Sequence, residues 1–145
     1  MRDLLYLRDD QIKDFIELIF YAYKKTYSDP IKILKKYSFG TAHHRAILLI
    51  ERHQGISVSE LLSRLQVTKQ SINRVLKGLI KSKIIIQKKG DLDGRQRLIY
   101  LNENGKKLSD EIFLSQRKRI YNALKNSESD SVLKFKKIIE KIIND

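Results

Sequence analysis

The sequence predicts a mainly α-helical protein with one small β-hairpin, and three observations support this prediction. Apolar residues recur at spacings of three and four along most of the chain. The period changes only between residues 83 and 101, where β-branched residues flank a turn sequence. With 145 residues and 41% hydrophobic content, the chain is long enough for one domain with a real core. We therefore expect a single domain over residues 1–145.

The first helix is expected over residues 9–27, DDQIKDFIELIFYAYKKTY. Its apolar stripe is unusually large and includes Ile16, Ile19, Phe20 and Tyr23. Pro30, the only proline, lies just beyond and is expected to stop the helix. The residues up to Gly40 are then expected to form a linker that holds a short helical turn.

Two more helices are expected before the basic middle of the chain. One runs from about Thr41 to His53, and Gly55 ends it. The next follows Ser57, which fits a capping box with Glu60, and its packed face is formed by Val58, Leu61, Leu62 and Leu65. A short break then leads to a further helix.

The segment TKQSINRVLKGL, residues 68–79, has two different faces when it is read at the helical period. Thr68 is its expected N-cap. The apolar face consists of Ile72, Val75, Leu76 and Leu79. The opposite face carries cations, amides and one hydroxyl, with no carboxylate: Lys69, Gln70, Ser71, Asn73, Arg74 and Lys77.

A β-hairpin is expected next, with strands over residues 83–89 and 95–101 around the turn sequence GDLDG. Arg95, Arg97 and Ile99 are predicted to point to one side of the second strand. The cations of the hairpin tip are Lys88, Lys89, Arg95 and Arg97. Asp91 and Asp93 would repel phosphate, so we expect them to orient the arginines through charge-assisted hydrogen bonds.

Two helices are expected to complete the chain. Asn102 can cap the first, over residues 103–125, and Gly105, a weak helix former, lies in its first turn. The second spans about residues 128–143 and has an apolar edge formed by Val132, Phe135, Ile139 and Ile142.

Positive charge is concentrated in the middle of the chain. The formal net charge is +13, and residues 61–100 contain ten cations but only two anions, so +8 lies in this short stretch. Such a concentration suggests a polyanionic partner.

The order of capped helix, short break, basic helix and hairpin is that of a winged helix-turn-helix. In this arrangement the basic helix enters the major groove of double-stranded DNA, where Gln70 and Asn73 can pair with adenine edges. Arg74 and Lys69 can reach guanine or phosphate. An arginine of the hairpin, the wing, can enter the minor groove.

Residues 40–108 also resemble the MarR family of transcriptional regulators. The resemblance is carried by SVSELLSRL, by TKQSINRVLKGLIKSKII and by the wing DLDGRQRLIYLNENGKKL. Gly94 stands where another arginine is common in the family, and Arg97 can compensate. This departure leaves open which wing arginine enters the minor groove.

The resemblance implies a bacterial, cytoplasmic homodimer that binds pseudo-palindromic operators and usually represses. Its DNA-binding part would be residues 40–102, and residues 9–27 and 103–143 would form the dimerisation part. The implied dimer contacts are the two apolar sets: Ile16, Ile19, Phe20, Tyr23, Val132, Phe135, Ile139 and Ile142. Many members release DNA when a small, often phenolic, molecule binds between the two parts, so an effector of that kind is the only ligand expected.

Several function classes are not expected. The chain has no cysteine, which excludes disulfides and cysteine-based oxidant sensing. No apolar run is long enough for a membrane span, so a soluble protein is expected. No catalytic motif is present, so we expect no enzyme. His43 and His44 are adjacent on a helix and form a poor chelating pair, so packing or a dimer contact is expected for them and no metal or cofactor. Tyr6, Tyr21, Tyr23, Tyr27 and Phe39 could line a ligand pocket, although aromatics at helical spacing more often pack in a core or interface.

One alternative from a different class remains, a winged-helix module that binds RNA or a protein partner through its basic face. The amide-rich face of residues 68–77 favours double-stranded DNA. Readers of single-stranded RNA usually display stacking aromatics, and this face has none.

Overall fold

The computed structural model describes residues 4–144 and is mostly helical with one three-stranded antiparallel sheet. A 3-10 turn, Leu5–Leu7, precedes the first helix. The helices are α1 (Asp9–Ser28), α2 (Ile31–Lys35), α3 (Thr41–Arg52), α4 (Val58–Leu65), α5 (Lys69–Lys81), α6 (Glu103–Leu124) and α7 (Ser129–Ile143). The strands are β1 (Ile56–Ser57), β2 (Ile85–Lys89) and β3 (Arg97–Leu101). The predicted fold class, mainly α with a hairpin wing, is confirmed.

The core lies between α3, α4, α5, the sheet and the start of α6. Apolar side chains from each of these elements are buried there, among them Ala46, Ile47, Ile50, Leu61, Ile84, Ile85, Ile99, Leu108 and Ile112. The predicted apolar face of α5 is confirmed, because Ile72, Val75, Leu76 and Leu79 are all buried. This burial fixes the rotation of α5, so the opposite face of the helix must point outwards.

The sheet has the order β1-β3-β2, with β3 in the centre. The two-residue strand β1 was not predicted, because a strand this short has no period to recognise. Both hairpin strands are shorter than predicted. Lys83 adopts a left-handed conformation (φ 58°) between α5 and β2, so β2 begins only at Ile85. The pairing ends at Lys89 and Arg97, and Arg95 therefore lies in the turn rather than on the strand.

Three predicted helix caps are confirmed. The side chains of Ser57, Thr68 and Asn102 each accept a hydrogen bond from the backbone N–H three residues ahead, at 3.1, 3.1 and 2.8 Å. The reciprocal half of the predicted capping box is wrong. The Glu60 carboxylate binds the Arg64 guanidinium one turn along α4, at 3.0 Å, rather than reaching back to Ser57.

Polar contacts fasten the end of α1 to α6 and α3. The guanidinium of Arg119 binds both carboxylate oxygens of Asp29, at 2.7 and 2.9 Å, and this hydrogen bonding lowers the pKa of Asp29. The amide nitrogen of Gln116 donates to the carbonyl oxygen of Thr26 at 2.9 Å. The side chain of Arg45 also donates to the hydroxyl of Tyr23. These contacts connect α1 to α3 and α6.

Candidate nucleic-acid interface

The outward face of α5 is polar and cationic. Lys69, Gln70, Asn73, Arg74 and Lys77 are exposed, and Ser71 is half-buried beside the Thr68 cap. Within residues 4–144, no cation of this helix forms an ion pair. Its charges are therefore available to an anionic partner.

A groove with a cavity volume of about 680 Å³ separates α5 from the wing. The α5 side is lined by Lys69, Asn73 and Lys77, and the wing side includes Arg95 and Arg97. The structure thus brings together predicted residues that lie up to 28 positions apart in the sequence. Gln70 and Arg74 lie outside the groove, on the remainder of the exposed face of α5.

Sequence reasoning missed further polar residues that line this groove. Ser57 and Ser59 lie at the start of α4, and Gln87 lies on β2. The oxygen of Gln87 accepts a long hydrogen bond from the Arg97 guanidinium, at 3.4 Å. The pairing of β2 with β3 places these two side chains on one side of the hairpin. The sequence did contain a signal for the two serines, because they lie at the N-terminus of a helix and such positions often contact phosphate.

The two wing lysines line a smaller cavity of about 380 Å³ on the wing together with Arg95 and Arg97. Lys88 and Lys89 are exposed but lie outside the groove between α5 and the wing. The ammonium group of Lys88 lies 5.1 Å from the centre of the Tyr100 ring. Because side chains alternate along a strand, Lys88 faces the side opposite to Gln87.

The predicted role of the two wing aspartates is wrong in its detail. The Asp93 carboxylate accepts a hydrogen bond from the backbone N–H of Arg95 at 2.9 Å, and so it shapes the turn rather than orienting a guanidinium. Within residues 4–144, neither Asp91 nor Asp93 forms an ion pair with an arginine.

His43 packs against the buried side of α5. Its Nδ1 accepts a hydrogen bond from the Gly40 N–H at 3.1 Å, and its ring stacks on Phe39 at 4.7 Å. The other ring nitrogen faces α5, since a Cβ placed on Gly78 would lie 3.3 Å from it. The packing role expected for His43 is confirmed.

His44 is buried where α1, α3 and α6 meet. Its ring lies 4.9 Å from that of Tyr27, and neither ring nitrogen has a hydrogen-bond partner among residues 4–144. It lines a cavity of about 430 Å³ together with Glu51, Arg52, Asp110 and Gln116. Burial lowers the pKa of His44, and the neighbouring side chain of Gln116 opposes this shift more weakly.

We expect His44 to make the protein less stable in mild acid. The unfolded chain takes up a proton near the ordinary histidine pKa of about 6.5, whereas the folded protein resists protonation until its lowered pKa is reached. The free energy of unfolding should therefore fall as the pH drops below about 7, and level off below the folded-state pKa. Urea unfolding between pH 7.5 and 5 measures this dependence.

The variants His44→Phe and His43→Phe separate the two histidines, because burial lowers the pKa of His43 as well. Each variant should remove part of the pH dependence, and His44→Phe should remove the larger part since His44 is the more deeply buried. An unchanged pH dependence in His44→Phe would contradict the assignment.

A large apolar groove runs along α6 and α7. It has a cavity volume of about 840 Å³ and is lined largely by apolar side chains that include Phe113, Ile120, Tyr121 and Leu133. The sequence favoured packing in a core or interface for its five singled-out aromatic residues. Phe39 does pack in the core, Tyr27 lines this groove, and Tyr6, Tyr21 and Tyr23 are exposed.

The residues predicted for dimerisation lie on the surface of the single chain. Ile16, Ile19, Phe20, Tyr23, Phe135 and Ile142 are exposed, and Val132 and Ile139 are half-buried. Soluble monomers rarely leave apolar patches of this extent uncovered.

Comparison with known proteins identifies the family. The model of the MarR family matches residues 37–96. The HTH-type transcriptional regulator PetP of Rhodobacter capsulatus is 39% identical over 141 residues, which cover 97% of this chain and 85% of PetP. The chain belongs to the MarR family. The predicted family is thereby confirmed, and with it the general function of a transcriptional regulator, which is not a class of enzyme.

Solved MarR-family structures share the fold. MepR of S. aureus, in a DNA-binding conformation, has a TM-score of 0.78 at 16% identity, over 89% of this chain and 96% of MepR. A cysteine-to-serine mutant of E. coli MarR in complex with operator DNA has a TM-score of 0.68 at 18% identity, over 98% of this chain and 100% of that chain.

Residues 4–144 contain neither a membrane-spanning helix nor a metal-binding cluster of side chains. No helix there has both the length and the apolar character needed to cross a membrane. No group of three or more histidine, aspartate or glutamate side chains in that range is arranged to hold a metal ion.

Proposed function

We propose that this MarR-family regulator is a homodimeric repressor that binds a specific sequence of double-stranded DNA. The observation that carries this proposal is the shared groove, in which amide and cationic side chains of α5 face the arginines of the wing. A helix fits the major groove, which is about 12 Å wide, when its outer face is polar and uncrowded. Two proteins with the same fold support this mode of binding. MepR has been solved in a DNA-binding conformation, and E. coli MarR in complex with operator DNA.

In this proposal α5 reads bases in the major groove and the wing reaches the neighbouring minor groove. Asn73 and Gln70 have the amide groups that pair with adenine, and Arg74 can bind guanine. Lys69 and Lys77 are placed for phosphate contacts beside them. Arg95 or Arg97 enters the neighbouring minor groove. The wing lysines lie outside the groove between α5 and the wing. Their positive charge attracts DNA, and they make no base contacts.

The proposed dimer is supported by the exposed apolar stripe of α1 and by the groove along α6 and α7. A second copy that inserts its terminal helices would cover both surfaces, and it would place two recognition helices on one duplex. Two-fold symmetry then predicts half-sites about 10 bp apart, one helical turn of DNA.

An effector fits the cavity beside His44 better than the open groove along α7. This cavity lies between α3 of the DNA-binding part and α6 of the terminal helices. A phenolic hydroxyl can donate a hydrogen bond to a nitrogen of His44 once the buried imidazole turns toward the cavity. The apolar part of the wall, which includes Leu48 and Phe113, can then hold the phenol ring. Salicylate is a suitable probe. It should lower the affinity for DNA in the wild type and have less effect in His44→Phe.

The deciding experiment is fluorescence-anisotropy binding to DNA from upstream of the gene for this protein. A random duplex of equal length and an RNA duplex are the controls, over a series of salt concentrations and with the oligomeric state measured in parallel. We expect one dimer to prefer the upstream DNA by about a thousandfold or more. A preference for the RNA duplex would overturn the proposal in favour of an RNA-binding module.

Removal of one base-reading arginine should weaken binding in a sequence-dependent manner. Arg74→Ala is expected to weaken specific binding by roughly 1–3 kcal/mol and to blur the preference at one position of each half-site. Arg95→Ala should weaken binding most on operators with AT-rich flanks, where the minor groove is narrow. Lys118→Ala is the matched control, because Lys118 is exposed on α6 away from the groove. Equal losses on all sequences for both arginine variants would contradict base readout.

A further inference from the structure

The tip of the wing carries an apolar side chain that the proposed DNA contacts leave unexplained. Leu92 is fully exposed, more than any other large apolar side chain in residues 4–144. Every other large apolar side chain in that range that is more than half exposed lies in residues 5–21 or 113–143, within or next to the helices proposed for the dimer. Leu92 lies on the wing instead, so the dimer does not account for it.

The turn that presents Leu92 has a defined backbone. The N–H of Gly90 donates to the carbonyl of Gln96 at 2.9 Å, and the N–H of Gln96 donates to the carbonyl of Asp93 at 3.0 Å. The carboxylate of Asp93 accepts from the N–H of Arg95 at 2.9 Å. These hydrogen bonds hold the chain on both sides of the tip and direct the Leu92 side chain away from the protein.

The wing around Leu92 matches a nucleic acid in charge. Residues 88–97 contain four cations and two carboxylates. The two arginines among these cations line the groove shared with α5. When α5 lies in the major groove, as proposed, the tip of the wing reaches the adjacent minor groove. There a leucine gains nothing from phosphates, but it can pack on sugar edges and between base steps, as apolar wedges do in minor grooves.

We propose that Leu92 is a specificity-determining residue that packs into the minor groove beside each half-site. The inference rests on the proposed function, since it assumes that α5 binds the adjacent major groove. A wedge opens the minor groove and bends the duplex, so it favours sequences that deform easily. The protein should therefore prefer TA or CA/TG steps at the position that the wing tip reaches, without any hydrogen bond to those bases.

The test uses a DNA duplex that the wild-type protein enriches from a random library. Binding, salt dependence and DNA bending are measured for the wild type, Leu92→Ala, Leu92→Ser and the conservative variant Leu92→Met. Ile86→Ala is the matched control, because Ile86 is a partly exposed apolar residue on the same hairpin but lies on β2, away from the tip.

Leu92→Ala and Leu92→Ser should weaken binding about three- to tenfold, as expected for partial loss of the burial of one leucine. They should also reduce the bend and abolish the preference for flexible steps. Their dependence on salt should stay that of the wild type, since no phosphate contact is lost. Leu92→Met should bind and bend DNA like the wild type, and Ile86→Ala should do the same.

The outcomes distinguish this inference from the proposed function. If the wild type enriches no duplex, sequence-specific DNA binding fails and the role of Leu92 fails with it. If the wild type binds its duplex and Leu92→Ser binds and bends it equally well, the role of Leu92 alone is overturned. A changed salt dependence in Leu92→Ser would also overturn it, because the side chain would then act through the neighbouring cations.

Discussion

Phe20→Glu is expected to convert the protein into a monomer and to remove tight binding to its operator. Phe20 is exposed in the single chain and belongs to the apolar stripe of α1 that we propose a second copy covers. A carboxylate at this position would be buried without a partner in the dimer, which costs roughly 3–5 kcal/mol. Because the proposed dimer has two-fold symmetry, this cost applies at two positions in each dimer. Sedimentation velocity measures the oligomeric state, and fluorescence anisotropy measures the affinity for DNA.

Gln11→Glu is the matched control for Phe20→Glu. It adds the same charge to the same helix, at a polar residue outside the apolar stripe. The control should remain a dimer with wild-type affinity, and circular dichroism should show that both variants keep their helices. A Phe20→Glu protein that still forms a dimer at micromolar concentration would show that the α1 stripe does not form the interface.

Gly105→Ala is expected to destabilise the fold by about 3 kcal/mol, at the upper end of the usual cost of overpacking. Gly105 is buried in the first turn of α6, and a Cβ at this position would collide with the carbonyl oxygen of Ile84. That carbonyl also accepts the backbone N–H of Asn102 at 3.1 Å, so the backbone has little freedom to move aside. In an exposed helix the same substitution would stabilise by up to about 1 kcal/mol. A loss of stability in Gly105→Ala, rather than a gain, therefore indicates close contact between α6 and the backbone of Ile84.

Gly94→Ala is the matched control for Gly105→Ala, because a Cβ at Gly94 would have no heavy atom within 4 Å. Urea unfolding should give a free energy of unfolding close to that of the wild type for Gly94→Ala. The value for Gly105→Ala should be clearly lower. A Gly105→Ala protein as stable as the wild type would contradict the close contact between the first turn of α6 and the backbone of Ile84.

Sequence periodicity was sufficient where one face of an element is buried. The apolar residues of α5 lie at helical spacing because the helix packs by one side, and all four predicted core residues are buried. The caps at Ser57, Thr68 and Asn102 were predictable because a cap is a local contact, with donor and acceptor only three residues apart. The hairpin was recognisable from its turn sequence, but its ends were not, because the strand boundary depends on the left-handed backbone of Lys83.

The candidate site was predicted less completely than the fold. The residues of α5 and the wing arginines were found from charge and spacing, since cations without carboxylates are visible in the sequence. Their meeting in one groove, and the participation of Gln87, depend on the register of β2 against β3. The role of Asp93 was misjudged because charge suggested a guanidinium partner, while the geometry of the turn provides a backbone N–H.

The sequence by itself determined which segments are helical, which face of each helix is apolar, and where the positive charge is concentrated. These properties are local, because they follow from the spacing of side chains along a single element. Only the tertiary structure decided what depends on contacts between distant segments. It buried His44 without a partner, brought Gly105 against Ile84, and left Leu92 exposed at the tip of a cationic wing. Each of these outcomes depends on how elements pack against one another, and no pattern within one element records that packing.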